Sequence, residues 1–326
     1  SALKTLDIPD SVTSIGNGTF TGCTALETLT IGSGITAIEG NTFYGCTNLK
    51  TVTIDTYEEA VTLGENAFHQ DTEVIFLRKK PASLVFDGGS GTPDDPYRVS
   101  NAQQLDAVRD YPEAHYIQTA DIDLSGMNWT PIGGCYQFHD ERDDAMFFTG
   151  SYNGQDHSIT GMTITGEYTI ASETLVIGLF GGTDNASISS LHLSGGKIDI
   201  TVNAGSSALC MGYIGGVAGC FANITDCSND NDIKVTVGNY QGSGEPFYLG
   251  GIGGYGNTIS GCSNSGSITA VSALSGVAAG GIAGFGPVQT SWNSGSVSVD
   301  SGTYDKVGGI VGELSQGVVH QCCNTG

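Results

Sequence analysis

Six histidines, nine cysteines and 34 carboxylate side chains are the residues of this chain that could carry chemistry. The histidines are His69, His115, His139, His157, His192 and His320. A zinc peptidase needs two histidines one helical turn apart with a glutamate between them. None of the six begins His-Glu-x-x-His, and His139-Asp140-Glu141 is the nearest approach. The Gly-x-Ser-x-Gly elbow of a serine nucleophile is absent, as is a phosphate-cradling P-loop. Paired carboxylates of a polysaccharide hydrolase or lyase remain. Asp121 and Asp123 fall on one side of a strand, and Asp140, Glu141, Asp143 and Asp144 cluster in a loop. With only 11 Lys and Arg in the chain, acidic substrate groups would be poorly neutralised. Asp121 and Asp123 are therefore expected as turn-adjacent surface residues, and no catalytic residue is assigned.

Calcium is the one cofactor to weigh, and none other is expected. Gly88-Gly89-Ser90-Gly91-Thr92-Pro93 begins like a calcium-binding nonapeptide, but proline stands where the aspartate should be. Asp94-Asp95 and the loop of Asp140, Glu141, Asp143 and Asp144 are the weak candidate ligands. Aromatic residues on loops are candidates for binding a protein or a sugar ring. Trp129, Tyr136 and Phe138 flank the acidic insertion, and Tyr240, Phe247 and Tyr248 lie in another long loop. They could equally pack over the edges of the fold.

The elements that position these residues come from internal repeats. Fifty glycines with only 14% charged residues suit many short strands joined by tight turns. The first segment repeats every 23 residues. Leu3, Leu26 and Leu49 correspond, as do Leu6, Leu29 and Val52, then Ile8, Ile31 and Ile54. Phe20 matches Phe43, and Cys23 matches Cys46; in a degenerate third copy Phe68 comes two residues late. One unit is too small to bury these side chains alone, so equivalent residues should stack into a continuous core. Ile8 to Gly16, followed by Phe20-Thr21-Gly22-Cys23, resembles the BspA-type leucine-rich repeat over residues 1–80. That resemblance implies a bacterial surface protein with a role in adhesion.

After Lys79-Lys80-Pro81 the pattern changes. Ser100 reads as a helix N-cap, and Leu105 and Val108 lie at helical spacing in a short capping helix over about residues 101–109. Five Gly-rich blocks follow, marked by Gly178, Gly216, Gly251, Gly281 and Gly309, at spacings of 38, 35, 30 and 28 residues. Beside them run Cys227-Ser228-Asn229, Cys262-Ser263-Asn264, Ser291-Trp292-Asn293 and Cys322-Cys323-Asn324. Asn229, Asn264, Asn293 and Asn324 should stack as a ladder, tolerate the left-handed conformation at a turn and bond from one repeat to the next. Most cysteines, recurring once per repeat, read as small core residues, with at most one of Cys322 and Cys323 pointing inward. These blocks and the segment from Gly150 to Ile159 resemble GLUG-motif repeats over about residues 84–326. That resemblance implies a right-handed parallel β-helix, pectate-lyase-like, or a close relative.

The expected fold is thus mainly β: two tandem solenoids, a leucine-rich repeat module over residues 1–80 and a β-helix over 81–326. A net charge of −23 disfavours nucleic acid and anionic membrane surfaces as partners. No segment is apolar enough to insert in a membrane. The expected protein is non-enzymatic, extracellular or on a bacterial surface, and a piece of a longer precursor. It would bind a host or neighbouring-cell protein or glycan; the alternative is a carbohydrate-active β-helix enzyme.

Overall fold

The computed structural model describes residues 3–56, 58–77, 85–134, 147–170, 174–204, 211–238, 247–272, 276–300, 305–315 and 317–326. The chain forms two compact units, Ser1–Val85 and Phe86–Gly326. It is mainly β, with parallel strand pairing within both units. Among the described residues no helix is long and apolar enough to cross a membrane.

In the first unit Thr5–Ile8, Thr28–Ile31, Thr51–Ile54 and Glu73–Phe76 form one sheet. Alternation of Thr with Leu, Val or Ile sends the apolar residues to one face. Leu6, Leu29, Val52 and Val74 share one register position, and Ile8, Ile31, Ile54 and Phe76 another. Leu26 and Leu49 are fully buried, whereas Leu3, in the outermost repeat, is exposed. The rings of Phe20, Phe43 and Phe68 stack face to face, with centroids 5.0 and 5.4 Å apart. The late arrival of Phe68 is absorbed before Thr62–Leu63, where Glu58–Ala60 adds a 3-10 turn. Cys46 donates its thiol to the Phe20 carbonyl, and burial pushes that thiol above its ordinary pKa.

In the second unit the chain visits separate parallel sheets once per repeat. Thr163–Ile170, Lys197–Ala204, Asp232–Gly238, Ile268–Ser272 and Val297–Asp300 pair in order in one. Thr174–Ile177, Met211–Gly215, Phe247–Gly250, Val277–Gly280 and Lys306–Gly308 do so in another. Ile164, Ile198, Ile233 and Ile268 form one buried column. Ile252 and Ile282, at equivalent places in successive Gly-rich blocks, are both buried and joined by an N–H···O bond of 3.0 Å.

The helix spans Ala102–Ala107 and tightens into a 3-10 turn at Val108–Asp110, with Leu105 and Val108 buried. Its N-cap is Asn101, not Ser100: the Asn101 side chain accepts from the Gln104 backbone N–H at 3.0 Å. Ser100 instead donates its hydroxyl to Asp87, which also accepts from Gln104. These two donors hold the Asp87 carboxyl below the ordinary carboxylate range.

Candidate functional site

The rear wall of the site is the asparagine ladder. Asn229, Asn264, Asn293 and Asn324 occupy one register position on successive strands. Each side-chain N–H donates to the next amide oxygen, at 2.9, 2.9 and 2.8 Å along the series. The same nitrogens also donate to the carbonyls of Asn231, Gly266, Gly295 and Gly326, two residues on. Both amide hydrogens are thereby used inside the fold, which removes the cost of burying them. Glycines make room for this ladder. A Cβ on Gly216, Gly251, Gly281 or Gly309 would fall 2.7, 2.2, 2.3 or 2.4 Å from the side-chain carbonyl carbon of the matching asparagine. The Gly-Gly blocks and the asparagines are therefore one packing unit. The expected left-handed backbone lies elsewhere: three residues earlier, at Asp226, Gly261, Thr290 and Gln321, with φ between 47° and 68°. The asparagines sit on short strands, where the amide reaches inward instead of closing a turn.

A cysteine lies two residues before most of these asparagines. The thiols of Cys227, Cys262 and Cys322 donate to the carbonyls of Thr225, Ser260 and His320. Ser291 makes the equivalent bond to Gln289 at 2.7 Å. A sulfur contact with Cys262, together with burial, holds the Cys227 thiol above its ordinary pKa. Of the terminal pair, Cys322 is half-buried and Cys323 exposed.

Because neighbours on a strand point oppositely, residues flanking the inward asparagines face out. One outward column runs Ser158, His192, Ser228, Ser263, Trp292, Cys323. A second is formed by Ser194, Asp230, Ser265 and Ser294. Together they bound a groove of about 380 Å³. At one end His192 Nδ1 lies 2.8 Å from Ser228 Oγ. Toward the other, the Trp292 side chain lies open, with the residue 53% exposed. Its indole stands among the serines of the two columns and is the one aromatic ring of the groove's described lining apart from the His192 imidazole. Ser265 donates to Asp230, holding that carboxylate at the rim. No lysine or arginine stands among the described lining residues.

Ser228, His192 and Asp156 suggest a hydrolytic relay by residue type only. His192 Nε2 is 3.9 Å from Asp156 Oδ1, beyond a hydrogen bond, and the Asp156 side chain is 82% exposed. His115 and Ser151 make the same 2.8 Å Nδ1–Oγ pair, also on directly opposed residues of neighbouring strands. The contact is thus a recurrent side-chain pair of parallel strands. Asp121 accepts from the Ser158 backbone N–H and Asp123 from that of Ser125, both at 2.8 Å. These hydrogen bonds hold both carboxyls below the ordinary range. Among the described residues no group of three or more His, Cys, Asp or Glu is gathered to hold a metal ion. Asp140, Glu141, Asp143 and Asp144 lie outside the described residues.

Of the aromatic candidates, Trp129, Phe247 and Tyr248 are interior residues, 3%, 3% and 7% exposed. Trp129 donates its indole N–H to the Leu179 carbonyl at 3.1 Å, with the Arg109 guanidinium 5.5 Å from its ring centroid. Phe247 fills the space above Gly212, where a Cβ would come within 2.1 Å of the ring. Tyr248 stacks on Tyr213 at 5.7 Å. Phe247 and Tyr248 thus lie on a paired strand, Phe247–Gly250, and not in a loop, and a buried hydrogen bond holds Trp129 inside. Tyr136, Phe138 and Tyr240 lie outside the described residues. In the sequence Trp292 stands out only as part of the repeat register. Its outward direction follows from the inward Asn293 beside it, by the alternation of side chains along a strand.

Parts of the chain are similar to known proteins. A Gly-rich membrane protein of Evansella cellulosilytica, so named provisionally, is 34% identical over 152 residues, covering 44% of this chain and 16% of that protein. Halomucin of Haloquadratum walsbyi is 31% identical over 131 residues, covering 36% of this chain and 1% of its own length. The chain thus spans a small part of the curated relatives it matches. The crystal structure of a provisionally assigned immunoglobulin A1 protease from Bacteroides ovatus is similar at a TM-score of 0.48 and 20% identity, over 74% of this chain and 78% of that one. The sequence pattern of the BspA type leucine rich repeat region matches residues 1–80. Residues 1–80 are therefore a BspA-type leucine-rich repeat region.

Proposed function

We propose that this chain is a non-enzymatic part of an exported or cell-surface bacterial repeat protein that serves in adhesion. In this reading the second unit is a right-handed parallel β-helix of GLUG-type repeats, and its outer groove is the binding surface for a host or neighbouring-cell protein or glycan. The observation that carries the reading is Trp292, exposed on a wall whose interior is tied together by the asparagine ladder. A wall ordered before binding loses little conformational freedom on binding. The leucine-rich repeat region and the names of the two relatives, a provisionally named Gly-rich membrane protein and halomucin, support a place at the cell surface. Nucleic acid and membrane lipid are poor partners for a chain of charge −23. No cofactor is proposed.

The test pairs a glycan and matrix-protein array with an assay for reducing ends and unsaturated products on a polysaccharide panel. Binding that is lost in Trp292→Ala, without product formation, is expected. Product formation by the wild type, abolished in Ser228→Ala or Asp121→Asn, would replace this reading with a carbohydrate-active enzyme.

A further inference from the structure

Resting on that reading of the groove, we infer that its ligand is an extended, uncharged glycan lying along the stacking direction of the repeats. Successive rungs are separated by about 4.8 Å, the spacing of paired strands, which is close to the length of one pyranose ring. The five rungs from Ser158 to Trp292 therefore present side chains at sugar-like intervals along one column of paired strands. At the serine rungs the group offered is a hydroxyl, both donor and acceptor, the complement of a sugar hydroxyl. At the last of these rungs it is an indole face, on which the C–H face of a pyranose can stack without losing its hydroxyls to an apolar pocket.

Charge selects among glycans. Asp230 stands at the rim and Asp156 near His192, and the described lining holds no lysine or arginine to compensate. A carboxylated or sulfated chain would meet these carboxylates and the field of a protein with net charge −23. An uncharged chain instead gains from them, since a carboxylate accepts hydrogen bonds from neighbouring hydroxyls.

A peptide is the less suitable occupant. The floor strands of the interior rungs are paired on both sides, so they offer no open edge for an added strand. The groove also has one aromatic anchor and a polar floor, where a protein interface would centre on a desolvated apolar cluster.

The experiment is calorimetric titration of the whole chain with uncharged oligosaccharides of the gluco, manno and galacto series, of increasing length. Uronate and sulfated oligomers of matched length are run beside them. Affinity should rise with length to about five rings and then level off, one ring for each rung at ~4.8 Å. Trp292→Ala should weaken binding by about 10-fold or more, the loss expected on removing the groove's one aromatic anchor. Ser263→Arg, which projects a long side chain into the groove one rung from Trp292, should block it. Thermal melts of both variants should match wild type, since both residues face out. Acidic oligomers binding as tightly as uncharged ones, or uncharged binding indifferent to Trp292 and Ser263, would overturn the inference. Trp292-dependent capture of a matrix protein without any glycan binding would also overturn it while leaving the binding-surface reading intact. Binding of nothing on either array overturns both.

Discussion

Asn264 donates its side-chain amide to the amide oxygen of Asn293 at 2.9 Å, one repeat further along, while its second hydrogen goes to the Gly266 carbonyl at 2.8 Å. Asn229 donates to Asn264 in the same way. Buried residues 29 and 35 positions apart in sequence are thus joined by a continuous row of amide hydrogen bonds. That row forms the back of the groove, so its stability and the shape of the outer wall are the same question.

Asn264→Ala removes the link and leaves the Asn229 amide hydrogen and the Gly266 carbonyl buried without their partners. At 1–3 kcal/mol for a buried polar group left unpaired, a loss of about 3 kcal/mol is expected. Urea unfolding followed by circular dichroism measures it. A loss below about 0.5 kcal/mol, the range of ordinary surface substitutions, would mean that the ladder contributes nothing.

Gly281→Ala tests the partner side of the same unit. Its new Cβ would meet the Asn293 side-chain carbon and the Gly309 carbonyl oxygen, each at 2.3 Å. Overpacking of a closed site costs roughly 1–3 kcal/mol. Combined with Asn293→Ala, which removes one of the two obstacles, the penalty should be less than the sum of the single changes. Additive losses would show that the two residues do not share the contact.

Cys262→Ser should be nearly neutral, within about 1 kcal/mol, because Ser291 already makes the same bond to a carbonyl two residues back in the next repeat. Cys262→Val, which keeps the bulk and deletes the donor, should destabilise more. Paired thermal melts of the two variants decide the matter, and equal losses would assign this position to packing alone.

Phe43→Ala opens the middle of the ring stack between Phe20 and Phe68, where the side chain is fully buried. A loss of about 3–5 kcal/mol is expected for truncating a buried aromatic residue. Differential scanning calorimetry should show it in the transition of the leucine-rich repeat region, and an unchanged melt would refute the stacked core.

Acid should weaken the second unit through Asp232. Its carboxylate accepts from the Ser267 hydroxyl at 2.6 Å and the Ser267 backbone N–H at 2.8 Å, which lowers its folded-state pKa. The folded form therefore holds this proton less tightly than the unfolded chain. The resulting stability is complete above the ordinary carboxylate pKa of about 3.9 and is lost as pH falls through the lowered value. The difference in melting temperature between wild type and Asp232→Asn should be constant from pH 7 to about 5 and shrink below about pH 4. A difference that grows toward low pH would reverse the sign of this account.

Periodicity alone carried the strand register. Leu6, Leu29 and Val52 align by a 23-residue count, and the same residues pair across the sheet. The Gly-rich blocks, though spaced unevenly, pair as aligned: Phe180, Ala218, Gly253, Ala283 and Val311 form one column. A repeat buries its apolar residues only against its own copies, so the spacing of like residues specifies which ones touch.

What the count of residues left open was direction and partnership. Phe247 and Tyr248 looked like loop aromatics until their strand pairing drew them inside, and Ser100 yielded the cap to Asn101 because Asp87 was near enough to hold its hydroxyl. Each of those outcomes depends on a residue distant in sequence, through an interaction energy that no local pattern contains. The groove is of the same kind. Alternation places Trp292 outside, but only the stacking of separate repeats lines it up with Ser263, Ser228 and His192 on one wall.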